Sequence, residues 1–415
     1  MRKLVVVALS LILVGLLVGL PGFGKTTIVH WMHHSPARAL LVQEFAKQFM
    51  AENPDIEVVV RTIPYTEYKT KLLAALAAGS GPDVAQIPSY AVSEFRQYGV
   101  IQPFPEDVIS PDYLRSNCVP AAIEPLIIDG KVYSLPTDVQ TVVLFYNPAL
   151  FEKAGLDPDR PPQDWNELIE YAKKLTLWEG GRMVQSGFAT DGYSPVVEMF
   201  MRQAGATFWD EEGKHVKFEE AQVEGFKFLT DSRTVYHVYT PKMGSRWTAF
   251  RQGKLAMVFG HGAMVGSFKV GAAPGLVFRT ALPPACPKTG SRTTVLTSWA
   301  TVITNNCTHP QAAAKWLAYI TSPDAQRRWF EETGELPAYV SLIDDPQLRQ
   351  DPLNGPILES VKYAVPTFSK GWGNPAAYFR DPAFREVVDE NVDPEVALKK
   401  AIDMINAYLK QTFGY

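Results

Sequence analysis

The chain has 415 residues, is 46% hydrophobic and 20% charged, and carries a net charge of −4. That length suits two domains, and the composition is that of a globular protein, not a disordered or fibrous one. A slightly acidic chain with no large basic block lacks the electrostatic footprint of a nucleic-acid binder.

Met1, Arg2 and Lys3 precede an apolar run, Leu4 to Leu20, which leads into Gly19-Leu20-Pro21-Gly22-Phe23-Gly24-Lys25-Thr26. These eight residues match the phosphate-loop pattern G-x-x-x-x-G-K-[ST]. The whole stretch also matches the basic start, apolar core and small-residue end of an export signal. A phosphate loop needs a short strand before it and a helix after it, so that backbone N–H groups meet the phosphates. The apolar run is far longer than a strand of about 5–6 residues. Ile28-Val29-His30-Trp31-Met32 is β-branched and aromatic, so it reads as a strand. Residues 1–27 are therefore expected to be a signal peptide, cut between Gly22 and Thr27, that sends the chain to the periplasm or the outer face of the cell membrane. Beyond residue 27 no apolar stretch approaches the about 18 residues of a membrane span.

Next along the chain, Ala39 to Met50 carries apolar residues at 41, 42, 45, 46 and 49, a helical spacing. Ile56 to Val60 reads as a strand. Tyr65 to Ala78 reads as a helix stopped by Gly79-Ser80-Gly81-Pro82, and Asp83 to Ile87 as a strand. The β-α-β-α-β alternation predicts an α/β layer architecture with a largely parallel sheet. Lys131 to Pro136 is extended and Val142 to Tyr146 is a strand. Helices are expected at about 149–154, 164–175 (capped by Asp164), 194–204 and 219–231. Leu255 to Gly260 and Thr294 to Thr304 read as two more strands. Pro310 to Ile320, Pro323 to Thr333 and 394–412 read as helices. There is no repeat at a fixed period and no low-complexity linker.

The three cysteines, Cys118, Cys286 and Cys307, form no C-x-x-C pair. Cys286 and Cys307 either join across a strand–turn–strand segment or remain thiols with Cys118. No H-E-x-x-H occurs, and His33 and His34, adjacent on a strand, point to opposite faces. Neither a metal nor a cofactor is expected. No G-x-S-x-G element signals a serine nucleophile.

Six stretches, taken in order and spacing, point to a family. They are Phe49 to Asp55 (FMAENPD), Ala78 to Val84 (AGSGPDV), Phe145 to Leu156 (FYNPALFEKAGL), Pro161 to Leu168 (PPQDWNEL), Phe250 to Met257 (FRQGKLAM) and Thr333 to Pro337 (TGELP). Together they resemble the extracellular solute-binding proteins of ABC sugar importers, a group that includes maltose-binding and glycerol-3-phosphate-binding proteins. The resemblance implies an α/β, two-lobed periplasmic-binding-protein fold of type II, each lobe a sheet flanked by helices, joined by a hinge. Lobe one is expected from 28–139 plus 293–338, and lobe two from 140–292 plus 339–415. It also implies a monomer that catalyses nothing, binds a di- or oligosaccharide between the lobes, and delivers it to the permease subunits of an ABC transporter. Glycerol-3-phosphate or a glycerophosphodiester is the alternative ligand, for which Arg380 and Arg246 are the cations available. The rival of another class is a secreted glycoside hydrolase, which would need two carboxylates about 5–9 Å apart.

A sugar offers hydroxyl edges and apolar C–H faces, so its site needs hydrogen-bonding side chains and aromatic rings. Such residues sit where strands end. His33 and His34 follow the first strand, and Ser89 and Tyr90 follow the third. Tyr65 stands where the second strand gives way to a helix, at a position that in relatives touches ligand. Gln140, seven residues before Asn147, falls where maltose-binding protein has an acidic sugar contact, and Asp138 could take that role. Tyr193 precedes a helix. His261 and Gly262 resemble the family's second-lobe binding loop, and Ser298 and Trp299 stand where relatives carry a Gly-Gly-Trp-like turn. Trp372 and Arg380 lie in an aromatic, Gly-rich stretch suited to a loop over the cleft.

Overall fold

Strand β1 (Thr26–His33) alternates buried and exposed residues, so Ile28, His30 and Met32 face a helical layer while Trp31 and His33 face the other way. The computed structural model describes residues 25–269, 272–373 and 375–414. Parallel neighbours flank β1: β2 (Ile56–Ile63), in register from Thr26↔Ile56 to His33↔Ile63, and β3 (Val84–Pro88). The crossovers are helices α1 (Pro36–Glu52) and α2 (Tyr65–Ala77). On α2, Tyr68, Leu72 and Leu76 form one buried stripe at four-residue spacing. Lys25 and Thr26 thus lead into a strand, not a helix, which removes the geometry a phosphate loop requires. Thr26 and Thr27, expected to fall within the leader, are ladder residues of β1. The rest of the expected leader, residues 1–24, lies outside the described residues.

The first sheet is completed by β4 (Ile101–Gln102) and, after a small hairpin of β5 (Ile127–Ile128) and β6 (Lys131–Val132), by β7 (Leu135–Pro136). A late strand, β14 (Trp299–Thr304), runs antiparallel to β3, β4 and β7, giving the order β2-β1-β3-β14-β4. The second sheet is built around β8 (Gln140–Tyr146). Its antiparallel neighbours are β11 (Leu255–His261), β12 (Arg279–Ala281) and β13 (Thr294–Thr297). The hairpin of β9 (Leu177–Glu179) and β10 (Arg182–Phe188) closes one end, and β15 (Ala364–Pro366) closes the other. Helices Trp165–Lys174, Ser194–Gln203, Glu220–Thr234 and Pro394–Phe413 bury their apolar stripes in the core around this sheet.

The expected single strand over 294–304 is two strands in different sheets. β13 pairs with β8, β14 pairs with β3, and Ser298 is the only residue between them. A continuous β-branched run conceals this passage, since both halves are buried ladders. The strand Arg182–Phe188 was not foreseen, because its polar residues break the alternation. Cys118, Cys286 and Cys307 are all free and buried. Cys286 belongs to the core of the second sheet and Cys307 to the cluster beneath the first, so of the two alternatives for this pair the structure has thiols.

Candidate functional site

The carboxyl ends of β1 and β3 and the start of antiparallel β14 lie on one edge of the first sheet, because Trp299 pairs with Pro88. The start of β8 and the ends of β11 and β13 lie on one edge of the second sheet, through the pairs His261↔Val142 and Thr297↔Gln140. Residues from these edges line a shared cleft of about 550 Å³, within the usual range for small-molecule sites. Crevices outside the carboxyl ends of α/β strands are the general location of ligand sites.

Of the residues expected there, His33, Tyr65, Tyr90, Gln140, Tyr193, His261, Ser298, Trp299 and Arg380 line this cleft. On the first-sheet side, Trp299 lies over His33 with centroids 4.3 Å apart, and Tyr65 stands edge-on to both at 6.2 and 5.7 Å. Tyr65 is 62% exposed, a large ring left open to solvent at the mouth. On the opposite side Tyr193 lines the cleft, and behind it the Arg246 guanidinium lies against both Tyr193 and Trp247, at 4.3 and 3.9 Å from rings set edge to face, while Arg246 also pairs with Asp191.

Five residues were expected in the site and are elsewhere. His34 is exposed, its Nδ1 3.3 Å from Thr62 Oγ1, because the strand's alternation turns it away from His33. Ser89 is buried, and its amide donates to the Ser298 carbonyl at 2.9 Å. Gly262 is a point of close approach, where a Cβ would meet Ile357 at 3.0 Å and the Gly334 carbonyl at 3.2 Å. Trp372 packs into the first-sheet cluster against Phe95 and Tyr68, 5.5 and 5.9 Å between centroids. Its amide donates to Glu94 at 2.5 Å, and its carbonyl accepts from Lys69 at 3.1 Å.

Asp138 is the fifth, and it has a structural post. It is fully buried and accepts hydrogen bonds from the Trp299 amide (2.9 Å), the Gln140 side chain (2.8 Å) and the Thr137 hydroxyl (3.3 Å). Arg38 stands 3.7 Å away. Asp138 therefore ties the passage from β7 to β8 to the neighbouring passage from β13 to β14.

Sequence reasoning missed Arg38, Glu198 and Glu335, all of which line the cleft. Arg38, in the first turn of α1, donates to Glu335 Oε1 from Nε at 3.1 Å and from Nη2 at 2.5 Å. The only signal available was position: Arg38 follows β1 as His33 does, and Glu335 lies within the Thr333 to Pro337 motif. Burial pushes the Glu335 carboxyl up to about 7, against the pull of Arg38. Burial also lowers His33 to about 3 and His261 to about 4, helped in both by nearby arginines, so both rings are neutral. Glu198 is spoken for: Oε1 accepts from Arg202 (2.8 Å) and the Phe368 amide (2.9 Å), and Oε2 accepts from Thr367 (2.7 Å).

A family model for bacterial extracellular solute-binding proteins matches residues 35–327, and the chain belongs to that family. Membership places it outside the cytoplasm. It is similar to an arabinooligosaccharide-binding protein of Halalkalibacterium halodurans, 27% identical over 412 residues, covering 94% of this chain and 91% of that one. The sn-glycerol-3-phosphate-binding periplasmic protein of Escherichia coli is 33% identical over 158 residues, covering 36% of this chain and 35% of its own. Among solved structures, an ABC transporter solute-binding protein of Thermotoga lettingae bound to α-D-tagatose matches with a TM-score of 0.80 at 25% identity, over 93% of this chain and 100% of that one. The architecture is accordingly the two-lobed type II binding-protein fold, with a sheet flanked by helices in each lobe and a hinge between them.

Proposed function

We propose that the protein captures a di- or oligosaccharide between its lobes and hands it to the permease subunits of an ABC transporter. One observation carries the reading. Five residues that line the aromatic cleft each carry a buried polar atom without a partner among the described residues: His33 Nδ1, Arg38 Nη1, His261 Nδ1, Ser298 Oγ and Glu335 Oε2. Buried polar atoms without partners cost free energy, and a ligand dense in hydroxyl groups would offset that cost once the cleft rearranges around it to expose them. Rings on the walls suit the C–H faces of the same ligand.

A phosphate is disfavoured. Arg380 is paired with Asp381 at 2.6 Å, Arg246 with Asp191, and Arg38 with Glu335, so each cation at or beside the cleft already has a carboxylate partner. Hydrolysis of the sugar is disfavoured too, because every oxygen of Glu198 already accepts a hydrogen bond. The limited match to the glycerol-3-phosphate-binding relative fits shared scaffold better than shared ligand.

In this reading residues up to Lys25 are the export signal. Lobe one comprises 26–138 plus 299–339, and lobe two 140–297 plus 340–414, assignments supported by strand membership in the two sheets. A single copy encloses the cleft from both sides, so a monomer suffices. Titration calorimetry against arabino-, malto- and manno-oligosaccharides and glycerol-3-phosphate tests the proposal. Binding of an oligosaccharide with no response to glycerol-3-phosphate is expected, and the reverse pattern would overturn it.

A further inference from the structure

The second sheet ends at β9, remote from the hinge, and this edge is unusual. Leu177 is 49% and Trp178 54% exposed, and as neighbours on a strand they project to opposite sides. Exposed large apolar residues on an edge strand are an association hazard that proteins ordinarily avoid. The turn after β9 is Gly180-Gly181, both in the left-handed region (φ 54° and 76°), so the hairpin reverses tightly and leaves its tip free of bulk.

Beside the tip lies a groove of about 670 Å³ whose walls include Trp178, Arg182, Lys242, Lys254 and Met243. No acidic residue lines it, and the three cations are exposed. Among the described residues none of these three side chains is in an ion pair, so their charges are uncompensated by a direct partner. Glu179 is the nearby acid. It lies opposite Arg182 in the ladder, so the charge excess remains positive.

We propose that this edge docks the protein on a bilayer surface carrying anionic phospholipid headgroups. Unpaired cations gain from anionic headgroups. An indole on a projecting tip suits the membrane–water interface, where Trp concentrates. A soluble polyanion would account for the cations and for Trp178 in the groove, but not for Leu177, which points away from the groove. A bilayer met edge-on by the hairpin uses both side chains. Because the docking edge is the one farthest from β13, it leaves the cleft and the first lobe free to move.

The test uses the exported full-length protein, sedimented with vesicles of phosphatidylcholine alone or mixed with phosphatidylglycerol. Wild type is expected to bind the mixed vesicles far better than the neutral ones. Replacing Arg182, Lys242 and Lys254 together by Gln should weaken that binding about a hundredfold, at the usual strength per basic residue near an anionic surface. Leu177→Ser with Trp178→Ser should weaken it on both vesicle types. Both variants should keep the saccharide affinity of wild type, which shows that they fold and separates this proposal from that for the cleft. Equal vesicle binding by wild type and the charge variant would overturn it. So would binding of wild type to heparin without binding to vesicles, which would reassign the groove to a soluble polyanion.

Discussion

Trp299 and His33 lie ring over ring, 4.3 Å between centroids and tilted by 34°, on the first-lobe wall of the cleft. The imidazole backs the indole and fixes its plane, and Tyr65 closes the third side. A pyranose face laid on the far side of Trp299 would gain burial and dispersion together.

Removing that ring is the first prediction. Burying a side chain of this size is worth roughly 1.5–3 kcal/mol, so Trp299→Ala should weaken saccharide binding about ten- to a hundredfold. Calorimetry on folded variant should show this with the unliganded melting temperature little changed. An unaltered dissociation constant would place Trp299 outside the site.

Asp138→Ala should act in the opposite manner. The side chain holds the Trp299 amide and Gln140 and faces Arg38, and its loss leaves buried donors unpaired and Arg38 with Glu335 as its remaining carboxylate. Breaking such a buried pair costs about 3–5 kcal/mol. Urea unfolding without ligand should therefore show a large loss for Asp138→Ala. A stable variant with weakened sugar binding would restore Asp138 to the ligand contacts.

Stability should depend on pH through two opposed sets of groups. His30, His33 and His261 are neutral in the fold, with pKa values lowered by burial to about 3, 3 and 4 from 6.5. The unfolded chain binds their protons first, so this part of the stability is full above pH 6.5 and is lost as pH falls toward 4. Glu335, raised to about 7 from 4.5, works the other way: its share is full below pH 4.5 and is lost as pH rises through 7. Each group changes stability by about 1.4 kcal/mol per pH unit within its window. Glu335→Gln should consequently compare better with wild type at pH 7.5 than at pH 5 in paired urea titrations. His30→Gln should reduce the acid sensitivity. Parallel curves for Glu335→Gln and wild type would remove Glu335 from the titrating set.

Trp372 tests the link between the lobes. It follows the last strand of the second sheet, yet its ring is buried among first-lobe residues. Gly371 and Gly373 on either side admit no side chain, because a Cβ would collide with Tyr408 at 2.3 and 2.4 Å. Trp372→Ala should release this strap. Small-angle scattering should then show a larger radius of gyration than wild type without sugar, and the same radius with sugar. An unchanged radius without sugar would mean that the strap does not restrain the lobes.

Much of the scaffold was legible because burial imposes periodicity. The strands β1, β2, β3, β8 and β11 and the long helices announce themselves by apolar spacing. The passage at Ser298 does not, since a strand that leaves one sheet for another keeps its composition. The ring-bearing cleft residues were legible because rings at strand ends have few other uses. The burial of Asp138 was not legible because a carboxylate near a cleft reads the same whether it faces a ligand or a backbone amide. Arg38 and Glu335 were missed because they are 297 residues apart and meet only in the folded chain. Trp372 was taken for a cleft loop because its Gly-rich setting resembles one. Those glycines instead let the backbone pass Tyr408.

Two of the three passages between lobes run side by side. Thr297 is paired with Gln140 on one side of the boundary and Ala300 with Pro136 on the other, and the Thr137 amide donates to the Trp299 carbonyl at 2.9 Å. A double-stranded ribbon bends about one axis far more readily than it twists or slides, since shear would break its ladder. These two passages therefore favour opening by a bend about one axis. Trp299 is itself a rung of that ribbon, so a residue proposed to meet the ligand also turns with the axle. Occupancy and angle then become one variable, and a membrane partner that senses only the angle is informed whether the cargo is aboard.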